Sequence, residues 1–142
     1  IEYKEFLKDE LIPVASSEYL KTIKKQIAIK DLKELPFIIR EYGSGSRKTL
    51  EEGLRKKGID IDELNITAEF GSTEAVKQAI KNGMGISFLS RFAVKDEISS
   101  GVLNEIRVKD LNITRHFYII TDKTRAVSPV CQSFIKSLSS HQ

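Results

Sequence analysis

The 142 residues are 40% hydrophobic and 30% charged, a balance that excludes a disordered chain and fits one ordinary domain with its own core. A net charge of +3, from 23 basic and 20 acidic residues, is too mild to argue for nucleic acid, and no basic run is interleaved with aromatic residues; the lysines read as solvated helix faces. The single cysteine, Cys131, excludes a disulfide framework and a cysteine-based metal site and fits a reducing compartment. No apolar run approaches the roughly 20 residues that span a bilayer, and no signal peptide precedes the folded pattern. The chain starts at Ile1 without a methionine and reads as part of a longer protein.

In chain order, Leu11-Ile12-Pro13-Val14-Ala15 predicts a short strand whose proline marks an edge, a bulge or a departure from one sheet. A polar connection leads to Asp31-Leu32-Lys33-Glu34, which has the spacing of a capped helical turn stopped by Pro36. Phe37-Ile38-Ile39 predicts a buried strand. Gly43-Ser44-Gly45-Ser46 then turns the chain into a helix over about 47–57, with Leu50 and Leu54 on one face and Glu51–Arg55 and Glu52–Lys56 pairs on another. Gly53 in its middle costs about 1 kcal/mol against alanine, and Gly58 suits a left-handed cap.

The pattern repeats. Ile66-Thr67-Ala68-Glu69-Phe70 alternates as a strand, Gly71-Ser72-Thr73 forms a second elbow, and a helix follows with Val76, Ala79 and Ile80 inward until Asn82-Gly83. Gly85-Ile86-Ser87-Phe88-Leu89 is a third strand, closed by Ser90-Arg91 and a short helix over Ala93, Val94 and Ile98. Strand–helix–strand–helix–strand with short connections predicts an α/β protein with a parallel, helix-covered sheet. Further strands are expected over Leu103–Val108 and His116–Ile120. Ser128-Pro129 opens a last helix with Val130, Cys131, Phe134, Ile135 and Leu138 on an apolar stripe, where Cys131 is core packing.

The two elbows raise the functional question: a nucleotide phosphate, a small anion, or a turn alone. Gly43-Ser44-Gly45-Ser46-Arg47 matches neither the P-loop nor Gly-x-Gly-x-x-Gly, because Lys48 stands where the third glycine belongs. Helix N-termini still offer unpaired N–H groups and about half a positive charge to an anion. One elbow by itself is explained by a glycine turn and a serine cap. Two elbows at the carboxyl ends of neighbouring parallel strands open on the edge where α/β sheets bind ligands. Arg40 and Arg47 either brace the loops or touch the ligand, and Glu41 and Glu69 are their salt-bridge candidates. His116 and His141 join no triad or metal set, so no catalysis is expected.

The stretches "LPFIIREYGSGSRKTLEEGLRKKGID", "AEFGSTEAVKQAIKNGMGISFLSRFAVKDEISSGVL" and "RHFYIITDKTRAVSPVCQSFIKSL" resemble, in order and spacing, the effector-binding region of LysR-type transcriptional regulators. The resemblance covers essentially the whole chain and implies a type II periplasmic-binding-protein-like fold, with the second lobe complete and the first lobe only partial. It implies the end of the first lobe at 1–9, the second lobe at 10–113, and a returning crossover strand with a C-terminal helix at 114–142. It also implies a small anionic effector or carboxylate held by Ser16, Ser44, Gly45, Ser46, Gly71, Ser72, Thr73 and Ser90, without cofactor or metal. DNA would be bound only through an N-terminal helix-turn-helix outside these residues, in a cytoplasmic homodimer or homotetramer with no membrane partner. The nearest subgroup is that linked to sulfur or selenium metabolism. A transporter's solute-binding protein of the same fold is the alternative.

Overall fold

In the computed structural model, which describes residues 2–24 and 26–121, β1 runs from Glu2 to Ser16, fifteen residues where the apolar pentad predicted a short strand. The chain divides into two units, Glu10–Thr114 and a smaller one of Ile1–Asp9 with Arg115–Gln142. β1 is not an edge strand in the larger unit. Leu11–Val14 pairs antiparallel with β5 (Ser87–Ser90), and Val14–Ser16 pairs antiparallel with β6 (Leu103–Glu105) on the other side. Pro13 is tolerated because Ile106 N–H donates to its carbonyl at 2.8 Å, while the reciprocal bond would need an N–H that proline lacks. The β1–β6 ladder ends there.

β3 (Pro36–Arg40) and β4 (Asn65–Phe70) run parallel, with a register shift between Phe37 and Ile38. Ile38 N–H to Ile86 O at 2.8 Å and Ile86 N–H to Pro36 O at 3.0 Å extend the parallel pattern to the residue just before β5. The expected parallel βα units are therefore present, but β1 enters against them, between β5 and β6, and makes the architecture mixed. Gly85 permits the close approach: its φ is +150°, and a Cβ there would stand 2.4 Å from the Pro36 carbonyl oxygen.

Successive side chains of a strand point to opposite faces, and the core divides accordingly. Leu11, Phe37, Ile39 and Phe88 join Leu50 and Leu54 of α2 (Gly45–Arg55), whereas Ile12, Ile38 and Leu89 join Val76, Ala79 and Ile80 of α3 (Thr73–Lys81) and Val94. Both faces are covered, which is why Phe37-Ile38-Ile39 is continuously apolar. Each buried Leu, Ile or Phe contributes about 1.5–3 kcal/mol. α2 closes on Gly58, at φ +79°, with Gly58 N–H on Arg55 O and Ile59 N–H on Leu54 O, the left-handed cap expected.

Other elements depart from expectation. α1 is one turn, Ser17–Leu20, and α4 covers Lys95–Ser100. The Asp31 turn is a 3-10 helix, Ile29–Glu34, starting earlier than predicted: Asp31 is its third residue and its carboxylate accepts from Ala28 N–H at 2.9 Å. The Leu103–Val108 run is two strands, with Arg107–Val108 (β7) parallel to Gln26–Ile27 (β2), a pairing hidden in what read as polar connection. Glu51 pairs with Arg47 at 2.9 Å instead of with Arg55, and the Glu52–Lys56 pair is not formed either. In the smaller unit β8 (Ile113–Thr121) pairs with β1, Arg115 reaches Asp9 at 3.1 Å, and His116 Nδ1 lies 2.7 Å from Glu5. The predicted last helix, with Cys131, and His141 lie outside the described residues.

Candidate functional site

Because β3 and β4 are parallel neighbours, their carboxyl ends, Arg40 and Phe70, are register partners, and the two elbows leave the same edge side by side. In the first, Ser44 is the N-cap of α2. Its Oγ accepts from Arg47 N–H at 3.5 Å, the long limit for such a bond, and Gly45 and Ser46 fall in the first helical turn. In the second, Ser72 caps α3, its Oγ accepting from Ala75 N–H at 3.1 Å, with Gly71 before it and Thr73 opening the helix. Both serines are structural caps, and each hydroxyl keeps a hydrogen to donate.

Two arginines sew the elbows together. Arg40 Nη1 donates to Thr73 Oγ1 at 3.0 Å, while Nε and Nη2 grip the Glu41 carboxylate at 3.1 and 3.0 Å. Arg47 donates to Glu51 at 2.9 Å and to the Arg40 carbonyl at 3.2 Å, lies 3.6 Å from Glu69, and sits over the Tyr42 ring. Glu69 also accepts from Tyr42 N–H at 3.3 Å. Both arginines brace the loops, Arg40 across to Thr73 and Arg47 back to the Arg40 carbonyl. Hydrogen bonds from Arg40 hold the Glu41 carboxyl below the usual glutamate range. A groove of about 330 Å³ runs from Tyr42 and Ser44 along α2 to Arg55.

Ser90 ends β5 opposite Leu11, and β5 follows the parallel sense of β3, so Ser90 lies at the elbows' end of the sheet. Ser16 does not join them. It lies five positions along β1 from Leu11, roughly 17 Å at strand rise, and pairs with Leu103 at the opposite end. Its Oγ caps α1, accepting from Tyr19 N–H at 3.1 Å. The physical reason is direction: β1 runs against the strands that carry the elbows.

Sequence reasoning missed the cluster beside Ser90. Arg91 binds Glu10 at 2.7 Å and Glu105 at 2.9 Å, and these hydrogen bonds, Glu105 first, hold its guanidinium above the usual arginine range. Glu10 stands 81 positions from Arg91, and no local signal links them. Among the described residues no group of His, Cys, Asp and Glu could hold a metal ion. No helix among them is long and apolar enough to cross a membrane.

Helices on both faces of a mixed sheet, with two amide-lined elbows at one edge, define an effector-binding lobe of the periplasmic-binding-protein kind. The chain belongs to the LysR substrate binding domain family, whose model matches residues 1–142. It is 34% identical over 141 residues to the HTH-type transcriptional activator CmpR of Synechocystis sp. (strain ATCC 27184 / PCC 6803 / Kazusa), a match covering 99% of this chain and 45% of the relative. It is also 34% identical to the RuBisCO operon transcriptional regulator of Acidithiobacillus ferrooxidans, covering 94% of this chain and 42% of that one. Neither name refers to sulfur or selenium metabolism. The chain thus spans less than half the length of these relatives. Among solved structures, the Synechocystis PCC6803 CcmR regulatory domain in complex with 2-PG superposes with a TM-score of 0.79 at 31% identity, covering 99% of this chain and 66% of that one. These matches favour the regulator over the transporter's solute-binding protein.

Proposed function

We propose that this chain is the effector-sensing part of a DNA-binding transcriptional regulator, and that a small anion at the edge formed by the two elbows is its signal. The observation that carries this is the Arg40–Thr73 bond at 3.0 Å, which ties the end of β3 to the start of α3, while Arg47 of α2 donates to the Arg40 carbonyl at 3.2 Å. N–H groups of two first turns, with the hydroxyls of Ser44, Ser46, Ser72 and Thr73, suit oxygen-rich anions. Two or three charge-assisted hydrogen bonds, each worth roughly 1.5–3 kcal/mol, place affinity between about micromolar and millimolar, the range of a sensor. Ser90 lines the same edge. Ser16 stays outside the reading because it stands at the other end of β1.

The 2-phosphoglycolate seen with the CcmR regulatory domain supports a phosphorylated carboxylate as the class to try first. In this reading the protein is cytoplasmic, has no catalytic role, assembles as a homodimer or homotetramer, and contacts DNA through an N-terminal helix-turn-helix. The effector acts by binding one arrangement of that oligomer better than another. The test is a thermal-shift screen of the intact protein against 2-phosphoglycolate and small carboxylates, followed by DNA mobility shift with and without each hit. A stabilising anion that also changes the DNA complex is the expected result. Neither effect with any anion, or hits unaltered by Ser46→Ala and Ser72→Ala, would overturn it.

A further inference from the structure

The edge that should receive an anion already holds one. Arg40 uses all three faces of its guanidinium, and the bidentate fork of Nε and Nη2 is filled by the carboxylate of the next residue, Glu41. Planar two-oxygen groups are what that fork recognises, carboxylate or phosphate. Around the elbows the cations Arg40 and Arg47 face the carboxylates of Glu41, Glu51 and Glu69. An incoming anion therefore meets two arginines outnumbered by three carboxylates, and the Arg40 fork is open to it only when Glu41 leaves.

Glu41 is the one built to leave. Glu69, 51% exposed, holds Tyr42 N–H at 3.3 Å and Arg47 at 3.6 Å and does not touch the fork; Glu51, on α2, is only 21% exposed and pairs with Arg47, so Glu41 alone occupies the Arg40 fork. Among side chains Glu41 holds Arg40 alone, and it is 40% exposed. Its backbone is pinned independently, N–H to Phe70 O at 3.0 Å and carbonyl to Ser44 N–H at 3.2 Å, so the side chain can swing out while the elbow keeps its shape. The Arg40–Glu41 pair is bidentate and part-buried, so Glu41 leaves the fork only when another two-oxygen anion takes its place. The third nitrogen of the same guanidinium, Nη1, holds Thr73 at the start of α3, so an anion in the fork would sit on a group already tied to the second elbow.

We propose that Glu41 is a built-in competitor: the effector's phosphate or carboxylate binds by displacing the Glu41 carboxylate from the Arg40 fork, which makes Arg40 a specificity-determining residue and Glu41 the setter of affinity. This rests on the proposed effector site. The test is calorimetric titration of the intact protein with 2-phosphoglycolate, and separately with inorganic phosphate and glycolate, in wild type, Glu41→Gln, Arg40→Lys and the double variant. Removing a competing surface ion pair should tighten binding in Glu41→Gln by roughly two- to fivefold. Arg40→Lys, which keeps the charge and loses the fork, should weaken it at least as much and abolish the gain from Glu41→Gln. The half-molecule that gains in Glu41→Gln identifies the group taking the fork. Thermal unfolding without probe should be nearly unchanged in Glu41→Gln, which separates competition from a structural role. Binding in wild type that is unchanged or weakened in Glu41→Gln overturns this inference alone. Absence of binding in every variant overturns the effector site and the inference with it. Binding that first appears in Glu41→Gln supports both.

Discussion

Replacing Gly53 with alanine sets two effects in opposition. Gly53 lies in the middle of α2, where alanine should gain about 1 kcal/mol of helix propensity. The structure reverses the sign: a Cβ at residue 53 would stand 2.8 Å from Ile113 Cγ1 and 3.1 Å from its Cδ1 and Cγ2. Ile113 is itself buried, 3% exposed, so its branched side chain has little room to retreat, and overpacking of this kind costs about 1–3 kcal/mol. The net expectation is a loss of about 0–2 kcal/mol. Urea unfolding followed by circular dichroism should show a lower midpoint at unchanged slope. In an Ile113→Ala background, itself destabilised by about 2–5 kcal/mol, the same Gly53→Ala change should become stabilising, because the methyl then fills a vacated space. That inversion is a coupling a double-mutant cycle reads directly. A raised midpoint for the single variant, or equal effects in both backgrounds, would refute the packing argument.

Gly85→Ala should be far worse, costing more than about 4 kcal/mol, because its Cβ meets the rigid Pro36 carbonyl at a φ of +150°; a normal yield and melting temperature would contradict this. Ser72→Ala and Ser44→Ala each remove a cap worth about 0.5–2 kcal/mol, with Ser72 the costlier since its bond is 3.1 Å against 3.5 Å; chemical denaturation giving the opposite order would reject the geometry. Lys77, 7% exposed, joins Glu97 at 2.8 Å and Glu74 at 3.0 Å. Burial works against its ammonium, yet hydrogen bonds to Glu97 and Glu74 hold it above the ordinary lysine value, and Lys77 in turn holds the Glu97 carboxyl below 4.5. The Glu97 contribution is therefore present above pH 4.5 and lost as pH falls through the depressed value, while the Lys77 contribution is present below 10.5 and lost as pH rises through the raised one. Lys77→Met should cost stability near about pH 7 and progressively less as acid protonates Glu97 below 4.5, and urea midpoints showing a deficit that never shrinks with acidification would exclude the pair as the cause.

The parts legible in the sequence are those whose causes are local. Phe37-Ile38-Ile39, the two elbows, the apolar stripes of α2 and α3, and the Gly58 cap each declare themselves within a few residues, because pleat, helix period and left-handed φ are short-range constraints. The resemblance to LysR-type effector-binding regions lay in the same local motifs, and the family match agrees with it. Less legible was how charges choose partners. Glu51 faced Arg47 and Arg55 at equal helical spacing, and Arg47 won because its guanidinium is also anchored by the Arg40 carbonyl and Tyr42. Ser16 looked like its fellow serines by composition and was separated from them by strand direction, a property of the sheet.

By itself the sequence determined which residues are strand, helix and elbow over most of the described chain, since each is specified by its neighbours in the chain. Only the tertiary structure decided that β2 meets β7, that Arg91 meets Glu10, that Gly53 must stay bare against Ile113, and that Arg40 ties one elbow to the other. Those partners lie 33 or more positions apart. Their pairing is set by how layers stack once apolar faces are buried, and no window of the sequence contains that information.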